Sequence, residues 1–218
     1  MVGRSYDGGL MVVGRAVNGW IKGILPDDLS RASEVTRYAQ LVQDSVNGDG
    51  RCPMLWVTDG WGATEGYSTK RSAFWRAIRR VVKGLGLEDV QQASWPSHLV
   101  WSNLYKVSPA DGGNPSKLLR EVQFPGCAKL LNLELRTYQP DRVLFLTGVD
   151  WADPFLEEAK LQKGEGYQYV ERVGDVHGAR FVIAVHPQGK FEAVWAHEVV
   201  TAFDRQQQHA AVGAVRRR

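Results

Sequence analysis

Three short apolar runs in this chain each give way to a polar residue suited to recognition or chemistry. Leu10-Met-Val-Val-Gly14 leads toward Asn18, Leu99-Val-Trp-Ser102 meets Asn103, and Phe181-Val-Ile-Ala-Val185 meets His186-Pro187. Short β-rich runs bounded by turn residues predict buried parallel strands. In open α/β sheets a ligand sits outside the carboxyl ends of the strands. If these strands are neighbours, two amides and an imidazole converge on one pocket. That trio suits holding a flat heterocycle and stabilising negative charge on it.

The rest of the pattern alternates between strand and helix. A helix is expected over 28–46, followed by a Gly48-Asp49-Gly50 turn. Residues 54–58 read as another β-like run, ending at Asp59-Gly60-Trp61-Gly62. Residues 71–84 predict a two-faced helix, with Phe74, Ile78, Val81 and Leu85 apolar and Arg76, Arg79, Arg80 and Lys83 pointing away. A strand at 99–104 is followed by a loop rich in Gly, Pro, Asn and Asp. A helix is expected from about Pro115, interrupted at Pro125-Gly126. The next helix carries Ala128, Leu131, Leu135 and Tyr138, with Pro140 past its end. Residues 143–147 predict a fourth buried strand, 150–161 a helix, 164–175 a hairpin or irregular loop, and 191–207 a terminal helix. This order predicts an α/β fold with a parallel sheet and helices on both faces. With 218 residues and no repeat or low-complexity linker, one domain is the simplest organisation.

Composition removes several classes. No apolar run is long enough to span a bilayer, and the N-terminus lacks a signal-peptide core, so a cytoplasmic protein with no membrane partner is expected. Cys52 and Cys127 cannot by themselves make a four-thiolate metal or iron–sulfur site, and His98, His177, His197 and His209 show no ligand spacing. No His-x-Glu with Cys-x-x-Cys occurs, which argues against a zinc deaminase. Net charge is only +3, but its distribution is uneven. Between Glu65 and Glu88 there are six bases and no acid, and the chain ends Arg216-Arg217-Arg218. Basic stripes of this kind neutralise phosphates, or simply solvate a helix face.

His186, at a strand end and fixed by Pro187, is placed to donate a hydrogen bond to an oxyanion; a His-Pro turn is its structural alternative. Asn103 presents a donor and an acceptor suited to a base edge, or caps a turn. Gly14 and Gly19 allow backbone to approach a ligand, and Asn18 between them suits a water or a base. Tyr67 precedes the basic helix in a loop, where it can stack on an extruded base or serve as packing.

Together these stretches resemble the uracil-DNA glycosylase superfamily. Met11-Val-Val-Gly14 looks like the first motif. Tyr67 followed by Arg71-Ser-Ala-Phe-Trp75 is similar to the mismatch-specific branch. Ser102-Asn-Leu-Tyr-Lys106-Val-Ser-Pro109 looks like the Thr-Asn-x-x-Lys-x-x-Pro pattern of the thermophile-type branch. Residues from Cys127 to Gly148, and Phe181 to Pro187, resemble the units that follow. The resemblance implies a three-layer α/β/α fold with a four-stranded parallel central sheet. It implies a monomeric, cofactor-free and metal-free enzyme that flips a nucleotide out of DNA and hydrolyses its N-glycosidic bond. Asn103 would read the base edge, Tyr67 would stack on the base, and His186 would stabilise the anionic leaving base. Lys70, Arg71, Lys106 and Lys190 would contact the DNA backbone.

The chain also departs from that pattern. Arg15 and Ala16 stand where the first motif carries Asp, Asn or Glu, so Asn18 becomes the first choice for positioning water and Asp59 the second. Gln188-Gly-Lys190 follows the His-Pro in place of the usual Ser. The four cysteines of the thermophile branch are missing. Residues 21–66 form a long insertion before the stacking aromatic, expected to reshape substrate choice. No Tyr closes the space beside C5 of the base, and Gly19 is small. A C5-modified or phage-type hypermodified cytosine or uracil, with a role in antiviral defence, is therefore the leading substrate expectation. A plain uracil enzyme of base-excision repair, an inactive DNA-binding member and an unrelated small-molecule α/β protein stand as alternatives.

Overall fold

Alternation along each strand sets the layers. Leu10, Val12, Leu144, Leu146, Val182 and Ala184 pack to one side, while Met11, Val13, Val143, Phe145, Phe181 and Ile183 pack to the other. A strand with apolar residues on both faces must be covered twice, and helices lie on both sides of the sheet. The computed structural model describes residues 1–17, 31–47, 50–109 and 112–215.

The strands are β1 (Leu10–Ala16), β2 (Leu99–Tyr105), β3 (Arg142–Phe145), β4 (Gln162–Lys163), β5 (Val170–Val176) and β6 (Ala179–Ala184). They form one sheet in the order β2-β1-β3-β6-β5-β4. The first four in that order are mutually parallel, and β5 and β4 add antiparallel. The fold is thus α/β, but the sheet is mixed and six-stranded, not the four-stranded parallel sheet expected. The extra edge is β4 and β5; of the hairpin or irregular loop expected over 164–175, the hairpin is found, its strand β5 turning back into β6. His177 and Gly178 both have positive φ, 50° and 88°, the backbone that a tight two-residue hairpin requires.

The helices are α1 (Ala32–Asn47), α2 (Trp56–Asp59), α3 (Ala73–Gly84), α4 (Lys117–Tyr138), α5 (Val149–Ala152) and α6 (Glu192–Val215). α3 and α6 cover one face through Trp75, Ile78 and Val82 and through Trp195, Val199 and Phe203. They approach closely at Gly84, where a Cβ would press on Val200. α4 and α5 cover the other face through Cys127, Leu131 and Ala152. Each fully buried Leu, Ile, Val or Phe among these contributes about 1.5–3 kcal/mol.

Several expected elements change. Residues 54–58 form a turn and α2 in place of a strand, because Met54 and Val57, three apart, are the two that enter the core. α4 runs unbroken through Pro125. Pro125 is exposed, so the Glu121 carbonyl it leaves without a donor can face water. Residues 150–161 hold only α5 and a single 3-10 turn at Asp153–Phe155. α3 buries Trp75, Ala77, Ile78, Val81 and Val82, while Phe74 and Leu85 are half-buried. In the expected insertion, none of the described side chains of α1 is buried, yet Met54, Val57 and Trp56 are built into the core and its margin.

Candidate functional site

The sheet order sets the carboxyl ends of β2, β1, β3 and β6 side by side. β1 and β2 are in register with Gly14 opposite Asn103, so both face the α3 side. A Cβ on Gly14 would overlap Asn103 Oδ1 and lie 3.3 Å from Phe74 Cε2. Only glycine leaves room there for the Asn103 amide. Beyond Asn103, the Gln123 side chain accepts from the N–H groups of Lys106 and Val107 and donates to the Val107 carbonyl. The chain leaving β2 is thereby fixed.

At β6, the Trp195 indole N–H donates to the Val185 carbonyl at 2.8 Å, anchoring the residue before His186. The Gln188 N–H points to His186 Nδ1 at 3.3 Å. Nδ1 is then an acceptor, and a neutral ring carries its proton on Nε2. Burial, with the Arg15 cation adding to it, pushes the His186 pKa down to about 4. The imidazole is neutral at physiological pH and offers one N–H donor.

These strand ends open into a cleft of about 1280 Å³. Its lining includes Gly14, Asn103, His186, Tyr67 and Arg71, five of the residues singled out from sequence. Tyr67 is 55% exposed at the rim. Behind it Trp56, Trp75, Trp101 and Phe74 form a continuous aromatic wall, with Trp56 6.3 Å from Tyr67 and 5.4 Å from Trp101 between ring centroids. The indole N–H groups of Trp56 and Trp101 are buried and find no acceptor among the described residues.

No protein-family model matches the chain, and no curated protein matches it.

Other expected site residues fall elsewhere. Asp59 is exposed, ion-paired with Arg51 at 3.1 Å, and not part of the cleft lining. Its proposed hold on the attacking water is not supported by that position. Lys106 also points elsewhere. Its ammonium donates to Ser102 Oγ at 2.6 Å and to Glu134 at 2.9 Å, tying β2 to α4 on the face away from Asn103. Lys70 and Lys190 are exposed and outside the lining. Asn18 and Gly19 lie outside the described residues, as do the last three arginines.

The basic stripe on α3 is partly spent within the fold. Arg76 forms a bidentate pair with Glu192 and donates to the Lys70 carbonyl. Arg79 donates to the Val90 carbonyl and lies 5.1 Å over the Trp61 ring. Among the described residues, no three His, Cys, Asp or Glu side chains are grouped to hold a metal ion.

Sequence reasoning missed Trp101, Phe74 and Arg15 as cleft residues. Trp101 had a signal, since it stands two before Asn103 and a strand repeats its face every two residues. Arg15 was visible only as a departure from a motif.

Proposed function

We propose that this chain is a monofunctional DNA glycosylase that extrudes a pyrimidine nucleotide into the cleft and hydrolyses its C1′–N1 bond. The observation that carries the reading is the convergence of Asn103, neutral His186 and Tyr67 on one cleft at the strand ends. Base flipping needs a stacking face and a donor–acceptor edge, which Tyr67 and the Asn103 amide offer. Among the described residues, the Asn103 amide makes no internal hydrogen bond, so both its groups are available to a base. Departure of the base places negative charge on its O2 oxygen, and a preorganised neutral N–H donor in a half-buried site stabilises that charge. Phe191, 79% exposed and five residues after His186, is suited to wedge into the stack that the flipped base vacates. Arg71 supplies a phosphate contact at the rim, and the exposed Lys70 beside it can reach a phosphate beyond the cleft.

The cleft, about 1280 Å³, has room for a pyrimidine with a substituent at C5. Such a substrate would fit a role against phages with modified DNA. The test is a base-release screen on single- and double-stranded DNA holding cytosine, uracil or C5-modified pyrimidines, with His186→Ala and Asn103→Ala as controls. Abasic sites in a C5-modified DNA, lost in both variants, are the expected result. Release from uracil DNA alone would overturn the C5 preference, and no release from any DNA would overturn the enzyme reading.

A second reading rests on a specific observation: no Asp or Glu is among the described residues that line the cleft. A cleft that offers no carboxylate to activate water can hold a flipped base without cleaving it. Salt-sensitive DNA binding with no base release would favour that reading.

A further inference from the structure

Arg15 follows Gly14 on β1, and its side chain lies half-buried at the cleft. Its Nε donates to the Thr147 carbonyl at 2.7 Å, just past the end of β3. Its guanidinium also lies 5.2 Å over the Trp151 ring. In the sheet, β3 sits between β1 and β6. The guanidinium is thus held at the strand end between the one that carries Asn103's partner Gly14 and the one that leads to His186. Two constraints, a hydrogen bond and a ring face, fix a group that ordinarily moves freely.

Its remaining donors are unused among the described residues. Among the described residues, no acceptor but the Thr147 carbonyl bonds to Arg15, and no carboxylate forms an ion pair with it. Burial lowers the Arg15 pKa from the ordinary arginine value, and the nearby Asp150 and Glu171 only partly offset this. Glu171 Oε2 accepts from the Val149 N–H at 2.7 Å. Arginine presents five N–H donors in a planar fork, and here one is used internally. A half-buried cation, held rigid with its fork unspent at the mouth of a cleft, is built to receive an anion.

We infer that Arg15 is the fixed positive charge of this site, binding the O2 oxygen of the departing base alongside the His186 N–H. The inference rests on the glycosylase reading and deepens it. The C1′–N1 bond breaks with its electron pair leaving on the base, where the charge spreads to O2. Water forms the new C1′–O bond and gives one proton to solvent, and the released base takes one proton from solvent. Arg15 takes no proton in this scheme. It lowers the barrier by stabilising the leaving group, at a cleft where none of the described lining residues is a carboxylate. A cation in this position also keeps the neighbouring imidazole neutral, so that His186 remains a donor of one N–H instead of a competing acid.

The same fork could instead hold a phosphate of the target nucleotide, and the experiment separates the two. Single-turnover base release and DNA affinity are measured for wild type, Arg15→Gln and Arg15→Lys. Affinity is read on DNA carrying a 2′-fluoro target nucleotide, which resists cleavage. Release is compared for two wild-type substrates whose bases differ in N1–H acidity. The expected result is an Arg15→Gln loss of about 10²–10³-fold in release rate, as for removal of an oxyanion donor, with affinity changed less than about threefold. The rate should also depend more steeply on leaving-group acidity, and Arg15→Lys should recover part of the loss. NMR titration should show the His186 pKa raised in Arg15→Gln. If that variant does not fold, the leaving-group dependence of Arg15→Lys against wild type decides.

An affinity loss with an unchanged rate at saturation would assign Arg15 to a phosphate and overturn the inference. Release by Arg15→Gln at the wild-type rate would overturn it as well. Both outcomes leave the glycosylase reading standing. A wild type that releases no base from any DNA in the screen removes both.

Discussion

Replacing Gly14 with alanine separates the needs of the fold from the needs of the site. The added Cβ would overlap Asn103 Oδ1, with Asn103 Cγ at 3.5 Å and Phe74 Cε2 at 3.3 Å. The backbone of β1 cannot yield, because it is paired to β2 on one side and β3 on the other. The Asn103 amide can, since nothing among the described residues holds it. Overpacking costs about 1–3 kcal/mol, and the smaller entropy of an unfolded chain with alanine returns about 0.4–1 kcal/mol. Global stability should therefore fall by no more than about 2.6 kcal/mol, read by urea unfolding. The amide, however, must move by an amount on the order of 1 Å, a displacement that costs about 10²-fold in rate, or roughly 2.7 kcal/mol. The decisive assay is a cycle with Asn103→Ala in single-turnover base release. In the Asn103→Ala background the Gly14→Ala penalty should shrink to less than about 0.5 kcal/mol, because its target is gone. Two fully additive effects, or Asn103 side-chain amide resonances that stay in place in Gly14→Ala, would refute the reasoning.

The low pKa of His186 gives a pH profile with a definite sign. Folded His186 titrates at about 4 against the usual 6.5, so between those values the unfolded chain binds more protons. Stability from this residue is complete above about 6.5 and falls as pH drops through that window, and His186→Asn should flatten the slope in acid unfolding. Base release should stay level from neutral pH to about 5 and be half lost near 4; half-loss near 6.5 would show an ordinary, solvated imidazole. Lys106→Met should lower stability by about 1–3 kcal/mol, since it strips Glu134 of its charged partner. It should leave DNA affinity and its salt dependence unchanged, and a tenfold affinity loss in a folded variant would restore Lys106 as a backbone contact. Pro125→Ala should restore a helix N–H and stabilise the chain by about 1–3 kcal/mol, read as a rise in Tm. A fall in Tm would mean that the bend at Pro125 is required by the packing of α4.

What was legible in the sequence was local. The strands of the parallel core announce themselves as apolar runs because both faces are covered, and their polar ends follow at once in the chain. Asn103 and His186 could thus be named without knowing their neighbours. Gly14 was legible as a close approach, though not that the approach is to Asn103, 89 residues away. The less legible stretches share a different cause. Residues 54–57 are apolar enough for a strand, and only their packing against Trp75 and Trp101 shows that the buried positions are three apart. Residues 170–176 alternate weakly because the strand lies near a sheet edge, with one side partly in solvent.

Charges were the least legible feature, because a charge is assigned by its partner. Lys106 finds Glu134 across 28 residues, and Arg76 finds Glu192 across 116. Sequence proximity groups Arg76, Arg79, Arg80 and Lys83 into one stripe facing away from the core. The fold divides them, with Arg76 committed to Glu192 and Arg79 to a carbonyl and a ring. An ion pair already made releases few counterions when DNA arrives, so the salt dependence of binding should follow the exposed bases near the cleft, not the count in the sequence. Arg15 shows the converse. It stands in a strand with no basic neighbour and belongs to no stripe, yet it is a cation with unspent donors at the cleft. The electrostatics of this site are therefore set by which positive charges the fold leaves unpaired; Arg120 shares the Trp151 ring with Arg15, but of the two only Arg15 lines the cleft, where the departing charge would form.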